Sequence, residues 1–153
     1  MRVPIAPAFA AHFVPFRLMP LLARLVRSAP NLFVWWNPLK RQNVGPQCNY
    51  PRYSTHAMAE SFLAGLDVYN AARDQPPMAR SILTVVNPRD MALNNAATRA
   101  VVRRWRSHAT ATVREYVFGR QLGTLHDIIG PYQDNAHVDY VYPILFDLID
   151  ATP

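Results

Sequence analysis

The sequence predicts an α/β fold with a short parallel sheet and flanking helices, and three observations carry that prediction. An apolar run, Ile82–Val86, and a second segment of strand length, Val113–Phe118, enclose a segment with helical spacing, in which Ala97, Val101 and Trp105 share one face. Strands joined by a helix are normally parallel neighbours, so their carboxyl ends open on one crevice. Each run then leads into a loop bearing an acid or a base: SILTVVNPRD ends on Asp90, and TVREYVFGRQLGTLHDII passes two glycines to reach His126. Adjacent strands lie only about 5 Å apart, so residues just beyond them can bring a carboxylate to an imidazole.

The elements follow in order. Arg2–Ala6 is predicted as a short strand, with Pro4 tolerable at an edge or a strand start. Pro20 suits the first turn of a helix running to about Ser28, ahead of Pro30. Leu18, Leu21, Leu22, Leu25 and Val26 fall on one of its faces and Arg17, Arg24 and Arg27 on the other. The aromatic stretch from Asn31 to Pro51 has no regular period. A second helix is predicted from Thr55, as N-cap, to about Arg73, with Met58, Phe62, Leu66 and Tyr69 as its stripe. Gln75, Pro76 and Pro77 end it. After the strand at Ile82–Val86 comes a helix capped by Asn94 or Asn95, then the strand at Val113–Phe118 and the histidine loop. Pro143 is expected to open a last helix, Ile144–Asp150, carrying Leu145, Leu148 and Ile149.

Composition narrows the function classes. Half of the 153 residues are hydrophobic and 17% are charged, which argues against wholesale disorder and allows one compact core. The formal charge of +6 is unevenly spread: no acidic residue precedes Glu60 and no basic residue follows Arg120. That asymmetry fits either internal docking of the two parts or an anionic surface partner. Cys48 stands alone, so no internal disulfide points to an oxidising compartment, and a cytoplasmic location is expected. No apolar stretch reaches the roughly 18 residues of a membrane span. The five histidines show no tight paired spacing and Cys48 stands alone, so a metal is not expected. VVRRWRS, with Arg103, Arg104 and Arg106 around Trp105, is the arginine face of an amphipathic helix, so nucleic-acid binding is not expected.

TVVNPRDMAL resembles the strand-turn that carries the triad acid in α/β-hydrolases, and GTLHDII resembles the loop that carries the triad histidine. RVPIAPAF is similar to the strand and loop that follow the nucleophile helix. The chain thus resembles the C-terminal half of an α/β-hydrolase, of the branch holding esterases, monoacylglycerol-lipase-like and serine-aminopeptidase-like enzymes. The resemblance covers about Arg2 to Ala151 and implies one partial domain over 1–153. Residues 7–75 would form a cap-like helical segment and 80–151 the closing strand–helix–strand–helix unit. It also implies that Asp90 orients His126 and that His126 is the general base and acid for a serine. The family's serine sits on a Gly-x-Ser-x-Gly elbow. None of the five serines here (Ser28, Ser54, Ser61, Ser81, Ser107) has glycine two residues away on both sides.

The expectation is therefore a serine-hydrolase portion, acting on carboxylic or lipid esters without a cofactor, that carries acid and histidine but lacks the elbow and is inactive alone. The alternative is a noncatalytic interaction module with a hydrolase-derived half-fold. Each bland explanation stands beside the sharp one: Asp90 also suits a plain Asn-Pro-x-Asp turn, and a lone loop histidine is commonly structural. Asp127 need not face the imidazole, and His137 with Asp139 would cap or decorate the last helix. Expected partners are an N-terminal hydrolase half or a second copy, since the strand at Arg2–Ala6 would lack a neighbour and the sheet would lack covering helices. The basic, leucine-rich helix ending at Ser28 would lie on a lipid surface or cover an acyl pocket, with Phe33, Trp35 and Trp36 suiting either task or core packing.

Overall fold

The structure is a computed structural model, and it describes residues 2–35, 38–39, 50–123, 126–131 and 136–151. Trp36 and Cys48 lie outside the described residues. In chain order the elements are α1 (Met19–Ser28), β1 (Phe33–Trp35), β2 (Arg52–Ser54), α2 (Thr55–Asp74), β3 (Ser81–Val86), α3 (Asn95–Ser107), β4 (Thr112–Val117) and α4 (Val138–Asp150). Single 3-10 turns stand at Phe16–Leu18 and Arg120–Leu122.

The run SILTVV has no polar face to give to water, and all six of its residues are buried. β3 is accordingly the middle of the sheet. It pairs in parallel with β4, from Ser81 opposite Thr112 to Val86 opposite Val117. Its other side takes the segment at Arg2–Ala6, also parallel. The Arg2 N–H donates to the Ser81 carbonyl at 2.9 Å, the Val85 N–H to the Pro4 carbonyl at 3.0 Å, and the Ala6 N–H to the Val85 carbonyl at 3.1 Å. Pro4 has no N–H for the remaining rung, so the pairing reduces to two bridges, Arg2 with Ile82 and Ile5 with Val85. The expectation that this segment has no strand neighbour is thus corrected. Among the described residues its opposite edge, toward Val3 and Ile5, carries no strand.

The sheet does not lack covering helices either. On one face Leu83 and Val85 pack with Phe118, Leu122, Ile128, Val141 and Leu145, bringing α4 and the histidine loop onto the strands. On the other, Ile82 and Val113 pack with Val102 of α3. A third cluster joins Met19 of α1, Phe62 and Leu66 of α2, and Ala97 and Val101 of α3 around Phe9 and Ala10. Gly65 permits that junction: a Cβ there would lie 2.5 Å from the Ala8 carbonyl oxygen and 2.8 Å from the Phe9 Cα.

Local chemistry explains most element ends. Ser54, rather than Thr55, caps α2 by accepting from the Ala57 N–H at 3.1 Å. Asn94 caps α3 by accepting from the Ala96 and Ala97 N–H groups. Two arginines of α3 serve the fold: Arg104 donates to the Tyr69 carbonyl and lies over its ring, and Arg106 Nε donates to the Val113 carbonyl at 2.9 Å.

Two expectations fail. α4 begins at Val138 and holds Pro143 inside it, with His137 at the N-cap position making no side-chain cap. An interior proline costs about 3 kcal/mol in isolation. Here Val141 and Leu145, both buried, anchor the helix on either side of it. Phe33–Trp35 and Arg52–Ser54 pair as a small antiparallel ribbon where no period was seen. In α1 only Met19 and Ala23 are buried, and Leu21 and Leu25 are each 57% exposed.

Phe118→Ala should lower the unfolding free energy by about 3–5 kcal/mol through the cavity it leaves. Leu25→Ala should change it by less than about 0.5 kcal/mol. Urea denaturation measures both, and similar losses would contradict the assigned burial of α1.

Candidate active site

β3 and β4 end side by side, and the turn after β3 is built by its own polar groups. The Asp90 N–H donates to the Asn87 carbonyl at 3.2 Å, and Asn87 Oδ1 accepts from the Arg89 N–H at 3.0 Å. Asn95, at the start of α3, donates from Nδ2 to the same Asn87 carbonyl at 2.7 Å. Asp90 is 2% exposed, and its two oxygens are divided between two tasks. Oδ1 accepts from the Ala92 and Leu93 N–H groups at 2.8 and 2.9 Å. Oδ2 lies 2.9 Å from His126 Nδ1. Turn residue and imidazole partner are therefore both correct descriptions of one carboxylate.

The far side of the turn is held as well. Leu93 bridges Ala11 in antiparallel fashion, the His12 N–H donates to the Ala92 carbonyl at 2.9 Å, and the Asn94 N–H to the Ala10 carbonyl at 2.8 Å. Neither this ladder nor the Asn95 clamp was foreseen. Asn-Pro-x-Asp signals a turn, but nothing local in Ala10–His12 signals its partner.

His126 is placed by hydrophobic anchors on either side. Leu122 and Ile128 are buried in the cluster beneath the sheet, and Gly123 turns the chain in the left-handed region at φ 76°. Asp127 does not bond the imidazole; its Oδ1 accepts from the Ile129 and Gly130 N–H groups. The His126 side chain is 47% exposed, against 1% for that of Asp90. Nδ1 thus points inward to the carboxylate, and among the described residues no hydrogen bond occupies Nε2.

The electrostatics follow from that geometry. Burial works against the charged form of Asp90, but the hydrogen bond with His126, the Leu93 N–H, the imidazole charge and the Ala92 N–H outweigh it. Its carboxyl is held below the usual range. The hydrogen bond with Asp90 raises His126 above the ordinary imidazole value; burial opposes it, and the charges of Asp90 and Asp127 add to it. A depressed Asp90 contributes stability above its unfolded pKa, about 3.9, and loses it as pH falls through the folded value. A raised His126 contributes stability fully below about 6.5 and loses it as pH rises through the folded value. The ionic attraction of the pair is greatest between those limits. At higher pH a neutral imidazole keeping its proton on Nδ1 would offer the Nε2 lone pair as a base.

None of the serines is engaged with this pair among the described residues. Ser28, Ser61 and Ser107 donate to carbonyls on their own helices, Ser54 donates to Asn31 Oδ1, and the Ser81 hydroxyl is buried with no hydrogen bond among the described residues. No group of three or more His, Cys, Asp or Glu side chains among the described residues converges as a metal site would require.

The short parallel sheet covered by helices on both faces has the layered arrangement of an α/β-hydrolase fold. The chain superposes on a soluble variant of monoglyceride lipase from Saccharomyces cerevisiae, solved in complex with a substrate analog. The TM-score is 0.61, over 97% of this chain and 54% of that one, at 13% sequence identity. The chain therefore spans about half the length of that lipase. No protein-family model and no curated protein matches the sequence.

Asp90→Asn keeps an oxygen for the Ala92 and Leu93 N–H groups but removes the charge facing the imidazole. The His126 titration midpoint, followed by NMR of its ring protons, should fall toward about 6.5 or below. A midpoint unchanged by the substitution would mean that the two side chains do not interact in solution.

Proposed function

We propose that Asp90 and His126 are the acid and the general base of a serine-hydrolase triad for carboxylic esters of the lipid kind. The serine would come from a segment outside these 153 residues. The observation that carries this reading is the division of labour within the pair. A buried carboxylate, fixed by two backbone N–H groups, lies 2.9 Å from Nδ1, and among the described residues no hydrogen bond occupies Nε2. The likeness of the fold to a lipase that acts on monoglycerides supports the substrate class.

In that reaction His126 Nε2 takes the proton of the serine hydroxyl as its oxygen bonds to the ester carbonyl carbon. The proton then passes to the leaving alcohol as the ester C–O bond breaks, giving an acyl-serine. Water repeats the sequence: Nε2 takes its proton, the acyl C–O bond to serine breaks, and the serine recovers a proton. Asp90 keeps the imidazole in the Nδ1–H tautomer and stabilises the imidazolium at each stage without taking the proton itself. No cofactor is needed.

Fluorophosphonate labelling tests this. The purified chain should show neither labelling nor His126-dependent hydrolysis of nitrophenyl esters. The native assembly, isolated through this chain, should contain a labelled serine polypeptide. Its labelling rate should fall by about 10³-fold or more in His126→Ala. Turnover by the chain alone that disappears in His126→Ala would refute an external serine, and Cys48 and Ser54 would then be the nucleophiles to test. An assembly with no labelled serine would favour a noncatalytic interaction module.

A further inference from the structure

The turn that carries Asp90 is held from outside by a side chain that, among the described residues, bonds to neither Asp90 nor His126. Asn95, the first residue of α3, donates from Nδ2 to the Asn87 carbonyl at 2.7 Å. An asparagine at a helix start ordinarily serves the N–H groups of its own helix. Here Asn94 does that, accepting from Ala96 and Ala97, and Asn95 reaches back to the end of β3 instead. Its amide therefore ties together the two ends of the stretch Asn87–Asn95, with Asp90 inside it.

Both ends of that stretch are fixed independently. Asn87 is 1% exposed and follows a strand with no exposed face, and α3 is seated through Ala97, Val101 and Val102. The turn between them has little packing on its outer side, where Arg89 is exposed and Met91 is 62% exposed. Hydrogen bonds rather than apolar contacts thus set where its outer part lies. The Asn87 carbonyl is the pivot, because it accepts from the Asp90 N–H at 3.2 Å as well as from Asn95. Of these two bonds the amide's is the shorter. Without it the turn is free to lean outward while β3 and α3 stay in place. A shift of about 1 Å would carry Asp90 Oδ2 from 2.9 Å to beyond hydrogen-bond reach of the imidazole.

We propose that Asn95 is a positioning residue for this site: its side-chain amide, tied to the Asn87 carbonyl, holds the acid turn so that Asp90 Oδ2 stays against His126 Nδ1. Its effect on rate rests on the reading of the pair as acid and base of a serine hydrolase, whereas its effect on the imidazole does not.

NMR of the His126 ring in the purified chain reads the imidazole without requiring a serine. Asn95→Leu keeps the branched shape and adds no charge, but it cannot donate. Its His126 midpoint should fall by about 0.5 or more toward about 6.5, and the Nδ1 proton should lose its protection from exchange. Asn95→Ala, smaller in the same place, should give the same shift where the leucine variant fails to fold. Asn94→Ala is the control for a merely structural role. Loss of the α3 cap should lower the melting temperature by about 2–4 °C and leave the His126 midpoint in place. In the native assembly Asn95→Leu should slow fluorophosphonate labelling by about tenfold to a hundredfold. An unmoved midpoint in both Asn95 variants, or an equal shift in Asn94→Ala, would overturn the proposal. A shifted midpoint together with an assembly that holds no labelled serine would keep the clamp and remove the hydrolase reading. An unmoved midpoint beside a labelled serine would do the reverse.

Discussion

Everything at the site depends on the burial of β3 between two parallel neighbours and two helical layers. Its six residues have no exposed face, and a one-residue slip would exchange Leu83 and Val85 for Ile82 and Thr84 against α4. That fixes the register with β4 from Ser81–Thr112 to Val86–Val117. It also fixes where the two chains emerge. Asn87, one residue past β3, is itself buried, and Phe118, one residue past β4, donates its N–H to the Val86 carbonyl at 3.0 Å. The turn carrying the acid and the loop carrying the histidine thus start side by side from a rigid edge. A pair 36 residues apart in sequence meets at 2.9 Å without needing a long mobile loop.

The acid turn shows how structural and chemical demands can share one side chain. A carboxylate bonded only to backbone would be a turn ornament, and one bonded only to an imidazole could swing. Asp90 satisfies Ala92 and Leu93 with one oxygen and His126 with the other, so the imidazole partner is locked by the same bonds that close the turn. Burial would ordinarily disfavour the charge, but four favourable interactions surround it and the carboxyl stays ionised. The histidine side chain is half-exposed beside the buried carboxylate, and its Nδ1 faces Asp90.

The parts of this arrangement that were legible in the sequence are those coded locally. The apolar run at Ile82–Val86, the strand at Val113–Phe118, a helix cap at Asn94 or Asn95 and the turn before Asp90 each announce themselves within a few residues. The partner of Arg2–Ala6 does not, because a two-bridge contact interrupted by Pro4 leaves no periodic trace and its neighbour lies about eighty positions away. The ribbon of β1 and β2 is three residues deep and closes over a long gap. Pro143 misled because a proline near a helix start is an ordinary opening signal, and only the buried Val141 and Leu145 carry the helix back to Val138. Amphipathicity gave α1 two faces correctly, yet it could not say that the narrow stripe of Met19 and Ala23, not the leucines, meets α2.

The central claim is that Asp90 holds His126 in the tautomer that leaves Nε2 as a base. Long-range proton–nitrogen NMR of the ring, recorded above the His126 titration, reads this directly. The account predicts a proton on Nδ1, seen as a low-field resonance protected from fast exchange, and an unprotonated Nε2. An imidazole protonated mainly on Nε2, or one averaging between tautomers as a free side chain does, would contradict it.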